Sequence, residues 1–378
     1  MKILKYNKKA LYKLNISEKD FEDFTILKKF NQKFNLNIKD IDIKSLAILV
    51  EKKISNEMIE NLKELRFSEL QILDLRNNNL SNIKELQNVK FEKLEGLGLE
   101  YNNISDISIF DKVNFKKLKV LSLSHNNISD IKILKNARFE KLKALTLNSN
   151  KISDINILEK VNFKELIILH LGNNNISDIK VFQNAKFGKL EVLILNNNKI
   201  SDINILEKVN FKDLKVLNLG NNNISEIKVL EKVKFTKLEK LELNDNKIID
   251  IDKLEKIYFK GLKVLDIGNN NIPDIKVLLQ LVKSENLKRL RLSYNKISDI
   301  NVLEKVNYKE LKKLFLDNNN ISDIKVFQNT KFDKLEVLSL SNNKIVDINI
   351  LEKLNFKKLK GLDLGNNNIS DINILQNV

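Results

Sequence analysis

Two histidines, His125 and His170, are the only side chains in this 378-residue chain whose ordinary titration lies near neutrality. General-base catalysis, nucleophile activation or zinc ligation through imidazole would have to run through them. In the register set out below they lie two repeats apart on one face, so their backbones stand about 10 Å from each other. That is too far for shared ligation of zinc, and no acidic residue in the neighbouring columns completes a site. Ser122 shares a column with His170 at the same separation, out of reach for a nucleophile and its base. Cysteine is absent, which removes thiol nucleophiles, disulfides and cysteine zinc sites. The recurrent "LGNNN" at Leu171, Leu219 and Leu364 sets its glycine at a strand edge, not in a phosphate-cradling loop. The sequence therefore assigns no catalytic, cofactor-binding or metal-binding residue.

Recognition chemistry gathers instead around two arginines. Arg289 and Arg291 are two of only five arginines in the chain and share one short apolar-alternating run. A guanidinium pairs a carboxylate or phosphate through two parallel hydrogen bonds, which an ammonium does not. Tyr294 and Phe315 fall nearby, with Glu242, Asp245, Asp266 and Asp317 on the flanking strands. Exposed aromatic and arginine side chains together have the composition of a protein-contact hot spot. The competing reading is a cross-strand ion ladder Glu242–Asp266–Arg291, and the two are compatible. His170 and Ile194 are the next candidates for contact.

What positions these residues is a 24-residue period. Leucines recur at that spacing from Leu70 to Leu262 and, after one inserted residue, from Leu287 to Leu359, which makes thirteen repeats. Each repeat reads L-x-x-L-x-L-x-x-N-x-I, then roughly s-D-I-x-x-L-x-x-x-x-F. The L-x-L alternation predicts a short strand with its leucines turned inward. With the first leucine as position one, positions three, five and seven face outward and position eight lies at the rim. An asparagine occupies position nine in every repeat: Asn78, Asn102, Asn126, Asn150, Asn174, Asn198, Asn222, Asn246, Asn270, Asn295, Asn319, Asn343 and Asn367. A buried amide there can bond the backbone of adjoining turns, so a stacked asparagine ladder is expected. A phenylalanine column, with Tyr308 substituting once, forms an aromatic spine on the other side.

These residues resemble the leucine-rich repeat signature across 70–378, and the return segment "NxIsDIxxL" is most similar to the protein phosphatase-1 regulatory subunit and the bacterial internalins. The resemblance implies an α/β solenoid, a horseshoe or arc with a parallel sheet on its concave face, used mainly to bind other proteins. Residues 1–69 differ. Ile16–Phe34 carries apolar residues at helical spacing behind Ser17, and about 46–69 reads as a degenerate repeat, so a helical N-terminal cap is expected. The far end stops in mid-repeat, which makes oligomerisation through an uncapped C-terminal end an expectation.

Charge argues against some partners. The chain carries +16 overall, yet positions three, five, seven and eight hold seven acids and five bases, a difference of −2. The lysine surplus therefore lies elsewhere on the surface, and a nucleic-acid partner, which wants bases and stacking aromatics on one working surface, is not expected. No apolar run reaches a membrane span and no signal peptide opens the sequence, which points to the cytoplasm, with signal-less secretion left open. The expected function is a non-enzymatic scaffold binding a partner protein on its concave face. Two alternatives stand beside it: a secreted or surface host-binding adhesin or effector, and attachment to a polyanion or membrane surface through the lysine-rich convex side.

One comparison shows where the array has diverged. Residues 172–212 and 317–357 are identical at 34 of 41 positions, and three of the seven differences fall at outward positions five or seven. In the ninth repeat Pro273 replaces the usual serine, and its fixed φ and missing donor predict a different bend.

Overall fold

The computed structural model describes residues 70–249, 259–276, 285–354 and 356–373. The expected helical cap and degenerate repeat at 1–69 lie outside them, as does the return segment after Pro273 beyond residue 276. Two compact units divide the chain: residues 1–152 with 160–166, and residues 153–159 with 167–378.

The first unit contains strands β1 (Ile72–Asp74), β2 (Gly96–Gly98), β3 (Val120–Ser122) and β4 (Ala144–Thr146). They pair in parallel, each residue opposite its equivalent one repeat on. The second unit contains β5 (Ile168–His170), β6 (Val192–Ile194), β7 (Val216–Asn218), β8 (Lys240–Glu242), β9 (Val264–Asp266), β10 (Arg289–Arg291), β11 (Lys313–Phe315), β12 (Val337–Ser339) and β13 (Gly361–Asp363). These too pair in parallel with their sequence neighbours. Every strand is three residues long because only L-x-L alternates. Its central leucine is buried in the first twelve strands and its flanks point out.

The return segments fold as short 3-10 turns, among them Lys84–Asn88 and Ser108–Asp111 in the first unit and Lys180–Gln183 and Asn301–Glu304 in the second. Four or five residues are too few to nucleate an α-helix in their own right. An aspartate before most of these turns accepts the backbone N–H two residues on, as Asp106 does from Ser108 at 2.8 Å and Asp178 from Lys180 at 2.8 Å, and Asn82 does the same for Lys84. That hydrogen bond also holds the Asp106 carboxyl below its ordinary range.

The asparagine column closes each turn. Asn222 donates to the carbonyls of Leu195, Leu219 and Gly220 and accepts from the N–H of Ile200, all within 3.2 Å. The pattern shifts by one repeat along each unit. The Leu219 carbonyl thus receives both Asn222 and Asn246, and the Leu99 carbonyl both Asn102 and Asn126. Position eight, just before each of these asparagines, has positive φ in all thirteen repeats, from 49° to 60°. Asparagine and aspartate tolerate that left-handed region best, and they occupy nine of the thirteen positions.

Candidate protein-binding face

In the second unit the register sets Arg289 beside Lys313, and Arg291 between Asp266 and Phe315. The Arg289 guanidinium lies 5.3 Å from the centre of the Phe315 ring, in cation–π range. Arg291 leans the other way, Nη1 standing 4.0 Å from Asp266 Oδ2. Glu242 pairs within its own strand, with Lys240 at 2.8 Å, rather than across to β9. Of the ladder Glu242–Asp266–Arg291 only the second rung forms an ion pair, and a long one. Asp317 accepts from Ser293 Oγ at 2.7 Å, and Asp245 bonds Asn244 and Asn269. Tyr294 occupies a left-handed position and is 51% exposed. His170 and Ile194 are direct neighbours on β5 and β6, both half-buried. The acids of this face are thus largely engaged at home, while Arg289, over the Phe315 ring, and Tyr294 are exposed.

Asp266 is the one buried acid of this cluster. It is only 6% exposed, with Oδ1 accepting the Gly268 N–H at 3.0 Å. Burial pushes its carboxyl above the ordinary value of 3.8; the Gly268 hydrogen bond and Arg291 oppose this, and Glu242 reinforces it. Between 3.8 and the raised value the folded state holds the extra proton, so this group's contribution to stability falls as pH rises through that window. Asp266→Asn keeps an acceptor for Gly268 and removes the buried charge. It is expected to raise the melting temperature at neutral pH, with the gain shrinking as the buffer is taken down towards 3.8. Thermal melts of both proteins across that range check the direction.

In the first unit the outward residues of β3 and β4 are mostly small, with aromatic rings at the rim. Ser122 Oγ bonds Thr146 Oγ1 at 2.7 Å, and Ser124 bonds both Thr146 and Asn148. His125 stacks on Tyr101, ring centres 4.1 Å apart and planes 11° from parallel, and its Nε2 lies 3.5 Å from Asn148 Nδ2. The sequence reading placed His125 at the rim but did not single out Tyr101. The signal was present: both residues occupy position eight of consecutive repeats, where asparagine or aspartate is usual. Among the described residues no three His, Asp or Glu side chains gather where a metal could sit.

A leucine-rich repeat family model, spanning two repeats per match, fits residues 92–136, 116–160, 188–232, 236–280, 285–329 and 333–377, and a single-repeat model fits 69–89. The chain belongs to the leucine-rich repeat family. Among solved structures it is similar to an internalin, InlF of Listeria monocytogenes, at 30% identity over 85% of this chain and 86% of that one, with a TM-score of 0.67. It is also similar to the leucine-rich repeat protein LIC12759 of Leptospira interrogans, at 26% identity over 87% and 91% of the two chains, TM-score 0.64. The functional domain of InlJ from Listeria monocytogenes, at 20% identity over 83% and 67%, TM-score 0.59, shares the fold alone. A comparison with curated proteins finds no match. Of the two classes its return segments resemble, the internalin class is the one these structures represent.

Leucine-rich repeats are typically interaction scaffolds that bind protein partners, and no described helix is long and apolar enough to cross a membrane. The lysines of these repeats are laced into ion pairs at position two. Lys119 pairs with Glu95, Lys215 with Glu191 and Lys263 with Glu239, at 2.7–2.8 Å, and Glu336 takes both Lys312 and Lys360. The lysine hydrogen bonds hold the Glu239 and Glu336 carboxyls below their ordinary range. These pairs are exposed and individually weak.

Proposed function

We propose that the chain is a non-enzymatic scaffold that binds a partner protein on its outward sheet face, with the strongest contacts on β8–β11 of the second unit. The observation that carries this is the Arg289–Phe315 cation–π pair beside Arg291 and the exposed Tyr294. A planar cation held over a ring, with its neighbouring acids already engaged, offers rigid contact area at little entropic cost. Asp266 places a carboxylate 4.0 Å from the Arg291 guanidinium. Glu242, Asp245 and Asp317 fix the surroundings of this cluster, and His170 and Ile194 extend the face. A cytoplasmic setting is proposed from the cysteine-free composition.

The test is capture from the source organism's lysate at moderate salt, comparing the intact chain with an Arg289→Ala, Arg291→Ala variant shown to be folded. Affinity for the captured partner should fall at least about tenfold in the variant. Equal capture by both would sink the assignment to β8–β11.

A second reading, a surface or secreted adhesin, is favoured by the 30% identity to an internalin over most of both chains. Protease shaving of intact cells separates the two. Loss of the protein from shaved cells supports the adhesin, and retention until lysis supports the cytoplasmic scaffold.

A further inference from the structure

We propose that the first unit carries a subsite for a basic side chain of a partner protein, an arginine or lysine received by the Glu100 carboxylate and the outer face of the Tyr101 ring. This rests on the reading that the sheet face is the contacted surface, but not on the β8–β11 cluster.

The backbone supplies the first observation. Tyr101 and His125 hold φ of 55° and 54°, a region that bulky side chains enter at a cost and that asparagine would enter cheaply. Folding alone gives no reason to put aromatics at two successive position-eight sites. Their arrangement supplies one. His125 backs one face of the Tyr101 ring at 4.1 Å, while Tyr101 remains 56% exposed. An aromatic ring is thus held rigidly, with open area that water solvates poorly and a cation would cover well.

The second observation is electrostatic and independent of the first. Glu100 Oε2 is shielded from solvent and has no hydrogen-bond partner among the described residues, a costly condition for a carboxylate oxygen. Asp74 lies beside it but is committed to Arg76, whose Nε and Nη2 stand 2.7 and 2.5 Å from Asp74 Oδ2. The two carboxylates converge over Gly98. A Cβ built there would lie 3.0 Å from Glu100 Oε2 and 3.3 Å from Asp74 Oδ1. Those separations are tight, so the two carboxylates themselves occupy the space that the missing side chain leaves over β2. Among the described residues these two acids share one arginine, Arg76, and Glu100 and Tyr101 are consecutive in sequence. A guanidinium or ammonium group answers both deficits, the unbonded oxygen and the bare ring.

With only two histidines in the chain, the His125 ring proton is a resolved reporter in proton NMR, assigned by its survival in a His170→Gln variant. The probe is N-acetyl-arginine methylamide, titrated at mildly alkaline pH against its neutral isostere, N-acetyl-citrulline methylamide. The arginine compound should shift the His125 signal saturably and bind roughly tenfold more tightly than the citrulline compound. Glu100→Gln should abolish that preference. Tyr101→Asn, which installs the residue type this backbone position usually holds, should remain folded and lose the saturable shift. The Arg289→Ala, Arg291→Ala variant should titrate as the unmodified chain does. Failure here is therefore distinguishable from failure of the β8–β11 assignment. No saturable shift with either compound, equal binding of both, or a preference that survives Glu100→Gln would overturn the proposal.

Discussion

Asn222→Ala is expected to destabilise the second unit by about 2–4 kcal/mol, read as a lower midpoint in urea denaturation. The reason lies in which partners are shared. The Leu195 carbonyl keeps Asn198 and the Leu219 carbonyl keeps Asn246 when the Asn222 amide is removed. The Ile200 N–H, on a fully buried residue, loses the one side-chain acceptor it has in Asn222 Oδ1. An orphaned buried donor and a small void therefore set the magnitude, rather than four whole hydrogen bonds. Asn222→Asp separates this account from a simple loss of volume. An aspartate can still accept from Ile200, but its second oxygen would face the three carbonyls that the amide now feeds. It should cost more than alanine at neutral pH, about 3–5 kcal/mol. It should recover as acid protonates the carboxyl, because that group's folded-state pKa lies above its unfolded one. Amide exchange should quicken at Ile200 and its flanking repeats before it does elsewhere in the unit, since each repeat rests on its neighbours. An alanine variant as stable as the original, or an aspartate variant better than alanine at neutral pH, would show the ladder to be ornamental.

This column was legible in the sequence because it is invariant, as were the strand leucines and the aromatic spine. Thirteen copies of one pattern leave little freedom in the register, and the strands fall where L-x-L falls. What was not legible depends on angles and on neighbours one repeat away. Position five was read as outward for every repeat. Asp266 is nevertheless covered, flanked by Glu242 and Arg291 and tied down to Gly268. Glu242 was set in a cross-strand ladder, yet Lys240 lies two residues away on the same face and reaches it first. The positive φ at position eight has no signature in one repeat. It shows only when the column is read whole and its asparagines are seen to yield to Tyr101, His125, Ser149 and Tyr294. The sites that break a column's rule are the ones to which both binding proposals lead.

Phe139→Ala is expected to cost the first unit about 3–5 kcal/mol. Phe139 is 1% exposed and touches three other rings: edge-on to Phe110 at 5.5 Å, and stacked against Phe115 at 6.4 Å and Phe163 at 6.2 Å. Truncation removes the ring from all three contacts, and the parallel strands on the opposite side fix the repeat spacing, so the void cannot collapse by drawing the repeats together. Phe139→Leu should cost far less, about 1–1.5 kcal/mol, because volume and apolar character are mostly kept. Phe356 holds the equivalent position in the second unit but is only half-buried, though it stacks on Phe332 at 6.5 Å and meets Phe327 edge-on at 6.1 Å. Phe356→Ala should therefore cost clearly less than Phe139→Ala in parallel denaturation experiments. If the two alanine variants lose the same stability, ring-to-ring contact rather than burial sets the strength of the spine. If Phe139→Ala is the milder, the spine is not what holds the first unit's repeats together, and the leucines and the asparagine ladder must carry that load without it.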